Sequence, residues 1–142
     1  VDDCVITGFV LNPAGEAFSA SAWIKGGAAG QAILSESGGA DWLCLDPLTG
    51  YLMTELQNPR SVNPLHAETV ITDGQWHRIG FVWDGRYRTL CVDGVAVAQD
   101  TQESLNRTSN GLYIGTDKTM APGTYFAGLI DEVRIYNRAV SP

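Results

Sequence analysis

Asp73, His77, Asp84 and Asp93 fall in one stretch, ITDGQWHRIGFVWDGRYRTLCVDG (residues 71–94), beside two tryptophans and three arginines. Carboxylates gathered around an imidazole can do general acid–base work or hold a metal ion. The same residues also fit the corners of a β-meander. Asp-Gly occurs here three times, at 73–74, 84–85 and 93–94, each time next to an apolar or aromatic run. CVDGVAVA (91–98) reads as a two-residue type I′ hairpin, since Asp tolerates the left-handed region and Gly enters it freely. The aspartates therefore have turns to make before any chemistry is invoked. Strand alternation puts His77 on the face of Ile79, Phe81 and Trp83, the place of a structural histidine.

Other catalytic and metal patterns are missing. Only His66 and His77 are present, and no G-x-S-x-G nucleophile turn occurs. No H-x-H, H-E-x-x-H or Cys cluster has zinc spacing. Cys4, Cys44 and Cys91 are far apart among apolar neighbours, which fits buried thiols, the alternative being a disulfide between two of them.

The elements that position these residues are short. Runs at 18–25, 32–37, 42–46, 51–56, 77–84, 88–93, 95–99, 112–116 and 126–136 read as strands separated by Gly-rich turns. A slip in alternation between Ile130 and Val133 points to a bulge. No segment keeps helical periodicity over three turns, and 98–106 offers at most one helical turn before a loop. The expected class is all-β, a two-sheet antiparallel sandwich in one domain over 1–142.

A net charge of −7, from nine Lys and Arg against sixteen Asp and Glu, disfavours nucleic acid and anionic membranes as partners. No run of eighteen apolar residues is present to span a bilayer. The start VDDCVIT lacks a signal-peptide pattern, and both ends read as cuts from a larger protein.

Sugar recognition needs an aromatic face beside side chains that read hydroxyls. Trp42, next to a Gly-rich turn, is placed between core and platform. Tyr51 opens the following strand, and Tyr87 sits between Arg86 and Arg88 at an expected hairpin tip. Tyr125 lies in a turn-rich loop, while Arg60 and His66 belong to the polar 57–69 segment. Trp42, Tyr51, Arg60, His66, Tyr87, Arg88 and Tyr125 are thus the candidate ligand contacts. Trp23, Trp76 and Trp83 are expected in the core. Asn106-Arg107-Thr108 is a glycosylation sequon, relevant only in a eukaryotic secretory pathway.

FSASAW (18–23), DGQWH (73–77), VWDG (82–85), LCVDGV (90–95), LYIG (112–115) and FAGLIDEVRIYNR (126–138) occur in the order found in one family. As a set they resemble the laminin-G-like, concanavalin A-like jelly roll of the lectin/glucanase superfamily, in its bacterial form. The resemblance implies a domain that binds polysaccharide or glycan, or alternatively a protein-binding adhesion or structural module. It also implies a secreted or cell-surface parent with neighbouring domains. Such domains usually carry a further N-terminal strand, so an edge strand is expected to be missing here. Cys4 and Cys91 stand where an aromatic is common. Glucanases of this fold resemble one another in E-x-D-x-E, which sets three carboxylates on one strand face. No two glutamates here lie within five residues of each other, so no enzyme is expected. Some relatives hold a structural calcium near the chain ends. That implies oxygen ligands from Asp2, Asp3 and Asp131, with Asp3 and Asp131 as the metal-binding pair.

Overall fold

The computed structural model describes residues 3–60 and 63–141. Eleven strands form two antiparallel sheets, and among the described residues there is no helix. The strands are β1 (Val5–Phe9), β2 (Phe18–Gly26), β3 (Ala32–Glu36), β4 (Asp41–Leu45), β5 (Leu52–Thr54), β6 (Leu65–Ala67), β7 (Trp76–Trp83), β8 (Tyr87–Val92), β9 (Val95–Thr101), β10 (Gly111–Ile114) and β11 (Gly128–Tyr136). One sheet has the order β1-β10-β3-β4-β5-β6 and the other β11-β2-β7-β8-β9.

The inner faces meet along the alternation the residues dictate. Phe18, Ala20, Ala22 and Ile24 of β2, with Ile79, Phe81 and Trp83 of β7, face Leu43, Leu45, Leu52 and Ala67 of the other sheet in one core. Phe18 anchors it, with ring centroids 5.3 Å from Trp42 and 5.6 Å from Phe81. Rings offset and tilted at such distances gain a quadrupole attraction beyond their burial.

Turn chemistry follows the sequence. Val92 pairs with Val95, and the two residues between, Asp93 and Gly94, have φ of 53° and 82°. Those positive angles at both centres are the type I′ signature. The bulge also stands where alternation slips: β11 changes register against β2 between Asp131 and Arg134. Glu132 takes φ of 49° there.

The sandwich closes on one side, where β6 packs on β9, and opens on the other. There the edge strands β1 and β11 leave an opening bordered by Val5, Ile114, Phe126, Ile130 and Val133 together with Asp3, Asp131 and Glu132. Val5, Ile6, Phe9 and Leu129 are exposed on these edges. Unpaired edges with apolar side chains are ready to accept another strand.

Candidate glycan-binding face

Residues directly paired across strands share a sheet face, so the cross-strand register fixes what stands together. Tyr125 bridges Ala32, Ala32 pairs with Cys44, Cys44 with Met53, and Met53 with His66. This row crosses the outer face of the six-stranded sheet. Four strand spacings separate Tyr125 from His66, about 19 Å. Ala32, Cys44 and Met53 form a small buried apolar cluster, the floor between the two end residues. Burial pushes the Cys44 thiol well up, so it stays a neutral part of that floor.

Polar groups flank the row on both sides. The Asp46 main-chain amide donates to the Tyr51 carbonyl, which sets Asp46 and Tyr51 opposite each other on the same face. His66 Nε2 lies 3.2 Å from Asp46 Oδ1. Hydrogen bonds from the Thr49 hydroxyl and amide hold the Asp46 carboxyl below its usual range. On the other side run Ile6, Tyr113, Ser35 and Asp41, paired in that order. The Tyr113 hydroxyl is 2.8 Å from the Ser37 hydroxyl.

Asp41 and Glu55 sit side by side there. The Asp41 amide donates to Glu55 Oε1 at 2.9 Å, and Lys118 Nζ donates to the same oxygen at 2.6 Å. Burial, reinforced by the charge of Glu55, pushes the Asp41 carboxyl up to about 6. Burial works against charging Lys118, but the Glu55 hydrogen bond and the charge of Asp41 outweigh it and raise its pKa. Asp41 therefore changes charge in mildly acidic solution. A carboxyl whose folded pKa is raised costs stability as it ionises, so the melting midpoint should fall as pH rises from about 4 to 6 and Asp41→Asn should flatten that slope. A wild-type slope as flat as that of the variant would show that Asp41 contributes nothing.

Tyr51, His66 and Tyr125 thus come together as the expected contacts of one surface. Arg60 stands exposed on the loop between β5 and β6, apart from the row. Tyr87 belongs to the other sheet, its ring 5.3 Å beneath the Arg86 guanidinium.

Two expectations are corrected. Trp42 is no platform: it is fully buried against Phe18. Ser35 pairs with Asp41 and Leu34 with Leu43, leaving Trp42 as the extra residue of a bulge. The bulge turns it inward along with Leu43 and Leu45, where plain alternation would set it beside outward Cys44. Arg88 is no hairpin-tip contact either. It is fully buried, with Nε 2.6 Å from Asp100 Oδ1 and an NH2 nitrogen 2.7 Å from Oδ2. Its remaining donors go to the carbonyls of Leu56 and Asn63. The phase of β8 explains this, because Arg88 pairs with inward-facing Trp83.

Core positions for Trp23 and Trp76 are corrected as well: they are 36% and 42% exposed. The signal is in the alternation, since Trp23 shares the phase of Ser19, Ser21 and Lys25, opposite Phe18, Ala22 and Ile24. Trp76 likewise lies out of phase with His77, Ile79 and Phe81. Of these three tryptophans, Trp83 alone is in the core, where Trp42 joins it.

The histidine constellation exists, as a brace. His77 Nδ1 lies 2.7 Å from Asp93 and Nε2 2.8 Å from Asp73. Burial lowers the His77 pKa, but the hydrogen bonds to Asp93 and Asp73 win and raise it overall. Both ring nitrogens must carry protons to donate to two carboxylates, so the brace is complete only in the imidazolium form. A raised folded pKa gives stability that is full below the unfolded value and lost as pH rises through the folded one. The melting midpoint should fall as pH rises from about 6.5 through the raised folded value, and His77→Gln should remove that slope. Equal slopes for both proteins would show that His77 contributes nothing.

Asp3 and Asp131 border the same opening between β1 and β11. Asp131 Oδ1 accepts the Glu132 amide at 2.8 Å, and Asp2 lies outside the described residues. Among the described residues no three His, Cys, Asp or Glu side chains gather to hold an ion. The expected pair does not form a cage by itself.

Comparison with known proteins fits this architecture. A candidate carbohydrate-binding protein of Bacteroides ovatus superposes with a TM-score of 0.75 at 17% identity, over 97% of this chain and 42% of that one. Domain 4 of AbnA, a GH43 extracellular arabinanase of Geobacillus stearothermophilus seen with arabinotriose, gives 0.67 at 21% identity, over 94% and 67%. The receptor-binding domain of botulinum neurotoxin D gives 0.70 at 18%, over 98% and 39%. The chain thus spans less than half of the first and last of these and about two thirds of the arabinanase domain. At such identities the likeness establishes the fold alone. No curated protein sequence matches. The family model described as the concanavalin A-like lectin/glucanases superfamily, in its third laminin G class, matches residues 2–142. The chain belongs to that superfamily.

Proposed function

We propose that this domain is a non-catalytic carbohydrate-binding module whose contact surface is the outer face of the six-stranded sheet. One observation carries the reading: solvent-reached Tyr125 and His66 end a row whose middle, Ala32, Cys44 and Met53, is buried beneath the surface. Tyr51 and Asp46 flank it with a hydroxyl and a carboxylate suited to sugar hydroxyls. The structural relatives add support, one held to be carbohydrate-binding and one seen with arabinotriose. An extracellular setting is proposed on the same ground, since the second is a domain of an extracellular enzyme.

Asp41 and Glu55 do pair a raised carboxyl with a second carboxylate, the combination glycosidases use. Here both are committed elsewhere. Asp41 is 8% exposed and accepts the Lys118 amide, while Glu55 accepts the Asp41 amide and the Lys118 ammonium. Groups held in this way anchor the loop after β10 and are poorly placed to exchange protons with a substrate.

Electrophoresis through gels containing soluble arabinan, xylan or galactan tests the reading. The wild type should be retarded by at least one of them, and the doubly substituted Tyr125→Ala, His66→Ala protein should run as in a plain gel. The calcium expected from the resemblance has its own test. A bound ion would raise the melting midpoint when calcium is added and lower it again with chelator, and an unchanged midpoint removes the ion.

A second reading, a protein-binding adhesion module, is favoured by the exposed apolar edges β1 and β11. Such edges recruit extended segments by strand addition. Concentration-dependent association that Ile6→Lys abolishes would support it.

A further inference from the structure

The two exposed tryptophans lie together on the face opposite the one described above. Trp23 pairs with Arg78 across β2 and β7, and Lys25 pairs with Trp76. The indoles are therefore diagonal neighbours, about 7–8 Å apart at the backbone. Large aromatic side chains that stay in water side by side form a stacking platform of a kind that isolated exposed residues do not.

The surroundings of the platform are cationic in an acidic chain. The protein has nine Lys and Arg and a net charge of −7. Lys25, Arg78 and Arg134 nonetheless occupy this one face, and among the described residues neither Lys25 nor Arg78 has a carboxylate partner. Arg134 is paired with Glu132 at 3.1 Å. Carboxylates border this face at both ends: Asp131 pairs with Trp23 beside Glu132 on β11, and Asp93 Oδ1 accepts the Arg78 amide near the start of β7, so the cations sit between acidic borders. A shallow depression beside Trp23 is bordered by Arg78, Arg134, Glu132, Tyr136 and Ser21.

We propose that the Trp23–Trp76 face is a second glycan-binding surface, selective for polysaccharide whose sugars carry carboxylates. The indoles stack on pyranose C–H faces, and Arg78 and Lys25 receive the uronate carboxylates. The proposal does not depend on the surface of the six-stranded sheet, so the domain becomes two-sided. Net charge opposes any polyanion at long range, so short-range stacking supplies the affinity. Spaced carboxylates on stackable rings are then preferred to densely sulfated chains.

Affinity electrophoresis in polygalacturonate, with neutral galactan and dextran sulfate in parallel, tests the inference. Trp23→Ala with Trp76→Ala should weaken polygalacturonate binding about tenfold or more. Arg78→Gln, which keeps hydrogen-bonding groups without the charge, should weaken it several-fold at low salt and little at high salt. If the tryptophan double variant does not fold, Trp76→Ser alone, at the more exposed ring, and Arg78→Gln still decide. Wild type that is not retarded by polygalacturonate overturns the inference, as does retention by dextran sulfate alone. Folded platform variants that bind like wild type also overturn it. The neutral gels report on the six-stranded face separately, so either surface can fail without the other.

Discussion

Replacing Arg88 by methionine should lower the melting midpoint by roughly 10 °C, following a loss of about 3–5 kcal/mol when one partner of a buried ion pair is removed. The side chain is fully buried, and all three guanidinium nitrogens are engaged. Its loss strands Asp100 together with the carbonyls of Leu56 and Asn63, three acceptors from three different segments. Asp100 keeps partial solvent access, with 29% of its side chain exposed, which moves the expected cost toward the lower end. Urea unfolding should show a lower midpoint at an unchanged slope. A change within about 0.5 kcal/mol, as at an ordinary surface site, would contradict the buried placement. Glycan affinity of the folded variant should match wild type, because Arg88 reaches neither outer face.

Trp42→Ala should cost about 3–5 kcal/mol, from lost apolar burial and the cavity left against Phe18. Trp42→Phe should cost much less, about 1–2 kcal/mol. The reason is specific: Trp42 Nε1 is buried with no hydrogen-bond partner among the described residues. Phenylalanine therefore removes a stranded donor while keeping most of the packing. If phenylalanine were as damaging as alanine, the indole nitrogen would have to hold a bond, which would contradict its unpartnered setting. Equal glycan binding by the Trp42→Phe and wild-type proteins is the second expectation.

The fold was open to reading because its signals are local. The Asp93-Gly94 hairpin needs two adjacent residues, and the β11 bulge shows as a slip over Ile130 to Val133. β1 and β6 carry weaker signals. VITGF has exposed apolar residues on an edge, and LHA is three residues inside a Pro-bounded loop. Neither shows the alternation that burial of one face imposes.

The candidate site was less legible, for two reasons. A bulge is a pairing property, so the inward turn of Trp42 depends on β3 and cannot be read from DWLCL alone. Arg88 looks like a hairpin-tip cation until the phase set by Trp83 and the partner Asp100 are known, and Asp100 lies twelve residues on. Trp23 is different. Its outward phase is written in FSASAWIK, and expecting it in the core weighs bulk hydrophobicity above alternation. The gathering of Tyr125 with His66 is long-range: five segments must be in register before they share a row.

The most direct test is retardation of wild type and of the Tyr125→Ala, His66→Ala double variant in gels of neutral polysaccharide, with melting curves to confirm that both are folded. Retardation of the wild type that the folded double variant loses is the predicted result. A wild type that runs freely in every polysaccharide, or a folded double variant retarded as strongly as wild type, would contradict the glycan-binding face.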